Sequence, residues 1–288
     1  MRGFRRGTST LPLEENHVNF EQILYEKDGG VATITLNRPE RMNAFTDVMI
    51  REWAQAIEDA RTDREVRVVI VTGAGRGFCA GADLRGGSGV AEAARADRPP
   101  SAADRRNWLR DGVHAVPRAV ALLDKPYIAA VNGAAVGAGM DMASMADIRI
   151  ASDRARFAMS YMKVGLVPGD GGCYFLPRIV GLSKALELIW TGDFLDAQEA
   201  LRVGYVSKVV PADDLMAEAT AFARKLAEGP AVAMQLAKRL VYRGLEGASW
   251  QEALEQANTA MAIAQSTEDA REGPRAFAES RPPKFIGR

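Results

Sequence analysis

Metal and disulfide chemistry are the first things this sequence fails to supply. It holds two cysteines, Cys79 and Cys173, and two histidines, His17 and His114, in 288 residues. Neither pair makes a disulfide framework or a zinc-ligand spacing, and no His-Glu-x-x-His run occurs. Net charge is equally lacking, since 37 Lys and Arg are matched by 37 Asp and Glu. That balance excludes a global field for nucleic acid or an anionic membrane, although a local basic patch is compatible with a phosphate-bearing ligand. The apolar stretches stop well short of the roughly 20 residues that a membrane span needs. The opening Met1–Thr10 is basic and acid-free, yet too short and aperiodic for a transit peptide. It reads as an exposed tail, and the protein is read as cytoplasmic.

What is present is a globular mix, with 47% hydrophobic residues and a length suited to one large domain or two modest ones. Residues 1–19 read as a flexible polar tail. Residues 23–36 read as two strands around the Asp28-Gly29-Gly30 turn, ended by Pro39, which cannot continue a ladder. Met49, Trp53, Ala56, Ile57 and Ala60 follow helical spacing behind Thr46, a candidate N-cap. Residues 66–72, 127–131 and 147–151 are apolar, strand-like runs. Residues 85–106 are rich in Gly, Ala, Arg and Pro with little periodicity, and read as a mobile loop or lid. After about residue 183 the composition turns helical. Strand–helix alternation followed by helices argues for α/β with a helical C-terminal region.

Glycine-rich turns follow two of the strands. Gly73-Ala-Gly75-Arg-Gly77 misses the dinucleotide fingerprint, because that spacing needs glycine where Phe78 stands. No phosphate-cradling Gly-Lys-Ser/Thr loop and no nucleophile elbow occur. The turns in Phe78–Leu84 and Val131–Asp141 share a different logic: each leads from a buried strand towards a small-residue helix start. Such turns leave backbone N–H groups uncovered, and two converging donors would hold a developing oxyanion.

In order and spacing these segments resemble the crotonase (enoyl-CoA hydratase/isomerase) superfamily. The matching text is Leu36-Asn-Arg-Pro39 with Asn43-Ala44, Phe78–Asp83, Val131-Asn-Gly133, Ala146–Ile148 and Phe157. It continues through Gly165–Gly169, Gly171-Gly172, Leu176-Pro-Arg178 and Thr191-Gly192, so that the likeness covers roughly residues 20 to 288. The resemblance implies a spiral of β-β-α units over 20–200 and a C-terminal helical region over 201–288 that builds homotrimers or hexamers. It implies an acyl-CoA substrate, no separate cofactor and no metal, coenzyme A being part of the substrate. The Ala82 and Ala138 N–H groups would form the oxyanion hole. Ala82, Asp83, Leu84 and Arg85 would line the thioester path. Arg38 and Arg41 would contact coenzyme A phosphates, or else are solvated turn residues. Each preorganised donor supplies roughly 3–4 kcal/mol to such a charge.

The chain departs from the pattern where hydratases place two glutamates, one activating water and one handling the Cα proton. The first position holds Asp141 and the second Tyr161, a poor base at its reference pKa near 10. Asp170, in the Pro-Gly-Asp-Gly turn, is the candidate substitute for the second carboxylate. Some crotonase-fold β-diketone hydrolases carry aspartate in this context, paired with a histidine where Tyr161 stands here. The leading expectation is an enoyl-CoA hydratase-like lyase in which Asp141 positions or activates water and Asp170 or Tyr161 completes proton transfer. Each has a plain alternative: Asp141 favoured by a helix dipole, Asp170 shaping a turn, Tyr161 packing. Double-bond isomerisation, C–C hydrolysis of a β-dicarbonyl through Asp170, and an RNA-binding relative are the alternatives in function. His114 reads as peripheral.

Overall fold

The computed structural model describes residues 20–98 and 100–288; the tail expected over 1–19 lies outside the described residues. Strands alternate between two sheets. In chain order they are β1 (Ile23–Asp28), β2 (Val31–Leu36), β3 (Val68–Gly73), β4 (Gly77–Cys79), β5 (Tyr127–Val131), β6 (Ala134–Val136), β7 (Ile148–Ser152), β8 (Arg156–Ala158), β9 (Leu195–Asp196) and β10 (Lys208–Val210). The larger sheet runs β1-β2-β3-β5-β7-β10 and the smaller runs β4-β6-β8-β9. Each of β3, β5 and β7 enters the larger sheet, its successor enters the smaller one, and helices follow. Successive turns stack in parallel, with Val69 opposite Tyr127, Ile128 opposite Ile148, and Ala134 opposite Arg156. This is the α/β spiral of β-β-α units that the resemblance implied.

The continuous apolar runs of β3 and β5 are explained by burial on both faces. Val69, Val71, Tyr127, Ala129 and Val131 join the main core, beneath the helix Asp47–Thr62. Val68, Ile70, Ile128 and Ala130 face the other way and join Leu215, Ala219, Ala223 and Ala227, spaced one helical turn apart on the helix Leu215–Ala227. Thr46 caps the first helix as expected, accepting from the Met49 amide at 3.2 Å. Trp53 and Tyr127, both fully buried, satisfy their polar atoms on each other at 3.1 Å.

Two expectations change. The stretch read as a loop or lid over 85–106 holds the helix Gly89–Arg95 and most of the helix Ala102–Trp108, capped by Ser88 and Ser101. The second of these buries no residue, so it carries no apolar period for a sequence reading to find. The sheet also gains β10 beyond the boundary expected at residue 200, pairing with β7. Three residues are too few to show an alternation. Beyond the helix Leu215–Ala227, the helices Ala231–Leu245, Trp250–Gln265 and Asp269–Ala278 form the C-terminal region.

Asn43 ties the first loop to the spiral. It is fully buried with φ of 53–55° shared with its neighbour Met42, a backbone state that asparagine tolerates better than most residues. Its side chain accepts from the Arg38 amide at 2.9 Å and donates to Ala74 O at 2.9 Å and Gly77 O at 2.7 Å. Asn43→Ala strands these buried groups, and chemical denaturation is expected to show a loss of about 2–3 kcal/mol.

Candidate active site

Two turns of the spiral touch at the site. The Phe45 amide donates to Gly81 O at 2.8 Å and the Asp83 amide donates to Phe45 O at 2.9 Å, which fixes Ala82 between them. On the next turn, Gly137 with φ of 55° caps the helix Ala138–Ser144, whose first residue is Ala138. A Cβ on Gly81 would lie 3.4 Å from Ala138 N and 2.9 Å from Val136 O. A Cβ on Gly139 would lie 2.0 Å from Cys79 O. Only glycine permits this approach. Among the described residues, neither the Ala82 nor the Ala138 N–H donates a hydrogen bond. The structure thus places on adjacent turns, with both N–H groups uncommitted, the two residues that the resemblance pointed to.

Beside Ala82 lies a groove of about 400 Å³ lined by Glu40, Arg41, Met42, Arg76, Asp83, Leu84 and Arg85, among others. Arg41 and Arg85 line it, and Arg76 joins them without any sequence signal. Arg38 is used differently. It bridges to Asp83 at 3.0 Å and also donates to Ala44 O, so it braces the turn behind Ala82. Burial alone would raise the Asp83 carboxyl, but the Arg85 amide and the Arg38 guanidinium outweigh it and hold Asp83 below the usual carboxylate range.

One helical turn past Ala138, Asp141 is fully buried. The Tyr161 hydroxyl lies 2.7 Å from Asp141 Oδ2 and 3.1 Å from Asp170 Oδ2, and the Asp170 amide donates to Asp141 Oδ2 at 3.1 Å. A Cβ on Gly172 would come within 2.1 Å of Asp141 Oδ1, so the Gly171-Gly172 turn is what lets the second carboxyl close on the first. The remaining oxygens, Asp141 Oδ1 and Asp170 Oδ1, are buried with no hydrogen-bond partner.

Proton counting decides what this cluster can do. A tyrosine hydroxyl has one proton and an ionised carboxylate has none. One hydroxyl cannot donate fully to both carboxylates, so a further proton on one carboxyl, donated to the tyrosine oxygen, would complete both contacts. Electrostatics agrees, because two ionised carboxylates this close in a buried site repel strongly. Burial first, then the Asp170 charge, push Asp141 up to about 7, against the pull of Tyr161 and the neighbouring amides. Burial likewise raises Asp170, with Tyr161 and His114 opposing. Burial and both carboxyls push the Tyr161 hydroxyl up, so it stays protonated and serves as a bridge. The cluster is an acid and a base held ready together.

His114 sits beside it, although the sequence reading placed it at the periphery. It follows a π-helical turn, Leu109–Val113, and its Nε2 lies 2.9 Å from Gly169 O and 3.7 Å from Asp170 Oδ1. A lone histidine outside any motif gave no signal. Among the described residues no cluster of three or more His, Cys, Asp or Glu is placed to hold a metal ion, and no helix is long and apolar enough to cross a membrane.

The family profile described as enoyl-CoA hydratase/isomerase matches residues 26–288. The chain is 38% identical to a probable enoyl-CoA hydratase of Mycobacterium tuberculosis, covering 94% of this chain and 100% of that one. It is 37% identical to the 1,2-epoxyphenylacetyl-CoA isomerase of Escherichia coli, covering 93% and 99%. The crystal structure of a putative enoyl-CoA hydratase from Streptomyces coelicolor superposes with a TM-score of 0.86 at 35% identity, over 100% of both chains.

The raised Asp141 has a consequence for stability. Its folded carboxyl holds a proton that the unfolded one, near 3.9, releases, so folding takes up protons and stability falls as pH rises between those values. Asp141→Asn removes that loss. Relative to the wild type, the variant is expected to gain about 2–4 kcal/mol as pH is raised from about 4 to about 7, and no more above that. Denaturation midpoints across this pH range provide the check.

Proposed function

This chain belongs to the enoyl-CoA hydratase/isomerase family, and on that premise we propose that it adds water across the double bond of a 2-enoyl-CoA. The observation that carries the reading is the Asp141–Tyr161–Asp170 cluster, which sets two buried carboxyls on one hydroxyl beside two free backbone donors. The thioester oxygen would rest on the Ala82 and Ala138 N–H groups. One carboxyl takes a proton from water as its oxygen attacks Cβ, and the negative charge passes to the thioester oxygen. The other carboxyl gives its proton to Cα, and the enolate collapses to a 3-hydroxyacyl thioester. The missing second glutamate of the hydratase pattern is replaced by Asp170, reached from a different segment. The basic groove lined by Arg41, Arg76 and Arg85 suits the phosphates of coenzyme A.

The family description, which names isomerase beside hydratase, favours a second reading, double-bond isomerisation, in which the same carboxyls move a proton between Cα and Cγ without adding water. The protein is further read as cytoplasmic and as a homotrimer or hexamer. Apolar side chains left exposed on the C-terminal helices, Trp250 at 73% and Phe277 at 88%, support the association.

Incubation with 2-enoyl-, 3-enoyl- and 3-oxoacyl-CoA thioesters, followed by mass spectrometry, tests the reading. The 2-enoyl thioester is expected to gain one water. Asp141→Asn and Asp170→Asn are each expected to slow this by about 100- to 10,000-fold. Interconversion of 2- and 3-enoyl thioesters with no water gained would establish the isomerase instead.

A further inference from the structure

The hydration chemistry above does not use His114, yet the fold brings it to the cluster with its protonation constrained. A carbonyl oxygen only accepts, so the 2.9 Å contact with Gly169 O requires a hydrogen on His114 Nε2. That N–H lies 3.7 Å from Asp170 Oδ1, a buried oxygen with no hydrogen-bond partner. The histidine side chain is 33% exposed and that of Asp170 only 5%, so the pair spans the edge of the buried cluster. The groups around the pair are few. From its own segment His114 has Arg110, Asp111 and Arg118, with Arg110 and Asp111 paired at 2.7 Å on the surface. Asp170 is faced by Asp141 from the helix Ala138–Ser144 and by Tyr161 from the turn Ser160–Val164. Cys173 follows on the next helix.

Two proton arrangements satisfy the two contacts of the Tyr161 hydroxyl. Either Asp141 donates to the Tyr161 oxygen and Tyr161 to Asp170, or the chain runs in reverse. His114 biases the choice, because it touches only the Asp170 end, opposing the Asp170 amide that contacts Asp141 Oδ2. We propose that His114 is a positioning residue that makes Asp170 the ionised base and Asp141 the acid, its Nε2–H stabilising negative charge on Asp170 Oδ1. This reverses the order expected from the positions alone, where Asp141 activates water, and it rests on the hydration reading for its chemistry.

The cycle then closes without solvent. Asp170 takes the proton of the attacking water and Asp141 gives its own to Cα. The Asp170 proton next moves to the Tyr161 oxygen while the Tyr161 proton moves to Asp141. The starting arrangement is restored with one water consumed.

The test compares the wild type with His114→Leu, which removes the N–H, and His114→Gln, which keeps an N–H donor beside Gly169 O and Asp170. Asp170 has to be ionised to act, so its titration sets the acid limb of kcat/KM for hydration. A neighbouring N–H dipole lowers a carboxyl, and its removal is expected to move that limb to higher pH by about one unit in His114→Leu. The limb of His114→Gln is expected to stay near the wild-type position. The Asp170 carboxyl resonance in 13C-labelled protein is expected to follow the same pattern, independently of turnover. A His114→Leu limb and resonance superimposable on the wild type would overturn the proposal, as would a His114→Gln limb displaced like that of His114→Leu. Wild-type protein that hydrates no enoyl thioester, but whose Asp170 resonance shifts in His114→Leu, would sink the hydration reading and leave the His114 assignment standing.

Discussion

Tyr161 has a single proton and faces two buried carboxyls, and everything at the site follows from that shortage. If both carboxyls were ionised, one hydroxyl hydrogen would be shared between two acceptors and two like charges would sit together in a buried pocket. One retained proton relieves both problems and leaves an acid next to a base. A pair of ordinary surface aspartates would both be ionised at neutral pH. Burial is therefore what turns two residues of the same type into partners with opposite roles, as unlike environments do for paired carboxyls generally.

The spiral supplies the burial and the proximity together. Each turn places a strand in both sheets and ends beside the turn before it, so loops distant in sequence stack directly. Gly81, Gly139 and Gly172 sit where those loops would collide if they carried a Cβ. Removing the Cβ at Gly81 and Gly139 brings the Ala82 and Ala138 donors onto neighbouring turns. Removing it at Gly172 brings the Asp170 turn onto Asp141. The same economy of space that packs the core thus brings the Ala82 and Ala138 amides and the two carboxyls to the helix Ala138–Ser144.

Much of the fold was legible because its strands are buried on both faces. Residues 127–131 read as an apolar run and form β5 over the same residues, and the Thr46 cap announced the helix that follows it. The helix Ala102–Trp108 and the strand Lys208–Val210 were not legible, since one buries nothing and the other is too short to alternate. At the site, the resemblance supplied the positions of Asp141, Tyr161 and Asp170, but no spacing rule says that three segments converge on one hydroxyl. Arg38 illustrates the opposite limit. Its charge was visible in sequence, while its engagement with Asp83 and Ala44 is a property of the folded turn. His114 was invisible as a site residue because its contact with Asp170 arises from a π-helical turn that no composition signals.

The shared proton can be observed without any substrate. Infrared difference spectroscopy at neutral pH, wild type against Asp141→Asn and again in heavy water, separates a protonated carboxyl from ionised ones. One carboxylic-acid C=O band is expected in the wild type, sensitive to deuterium and missing from Asp141→Asn. A wild-type spectrum containing only ionised carboxylate bands for these residues would contradict the acid–base pair and the mechanism built on it.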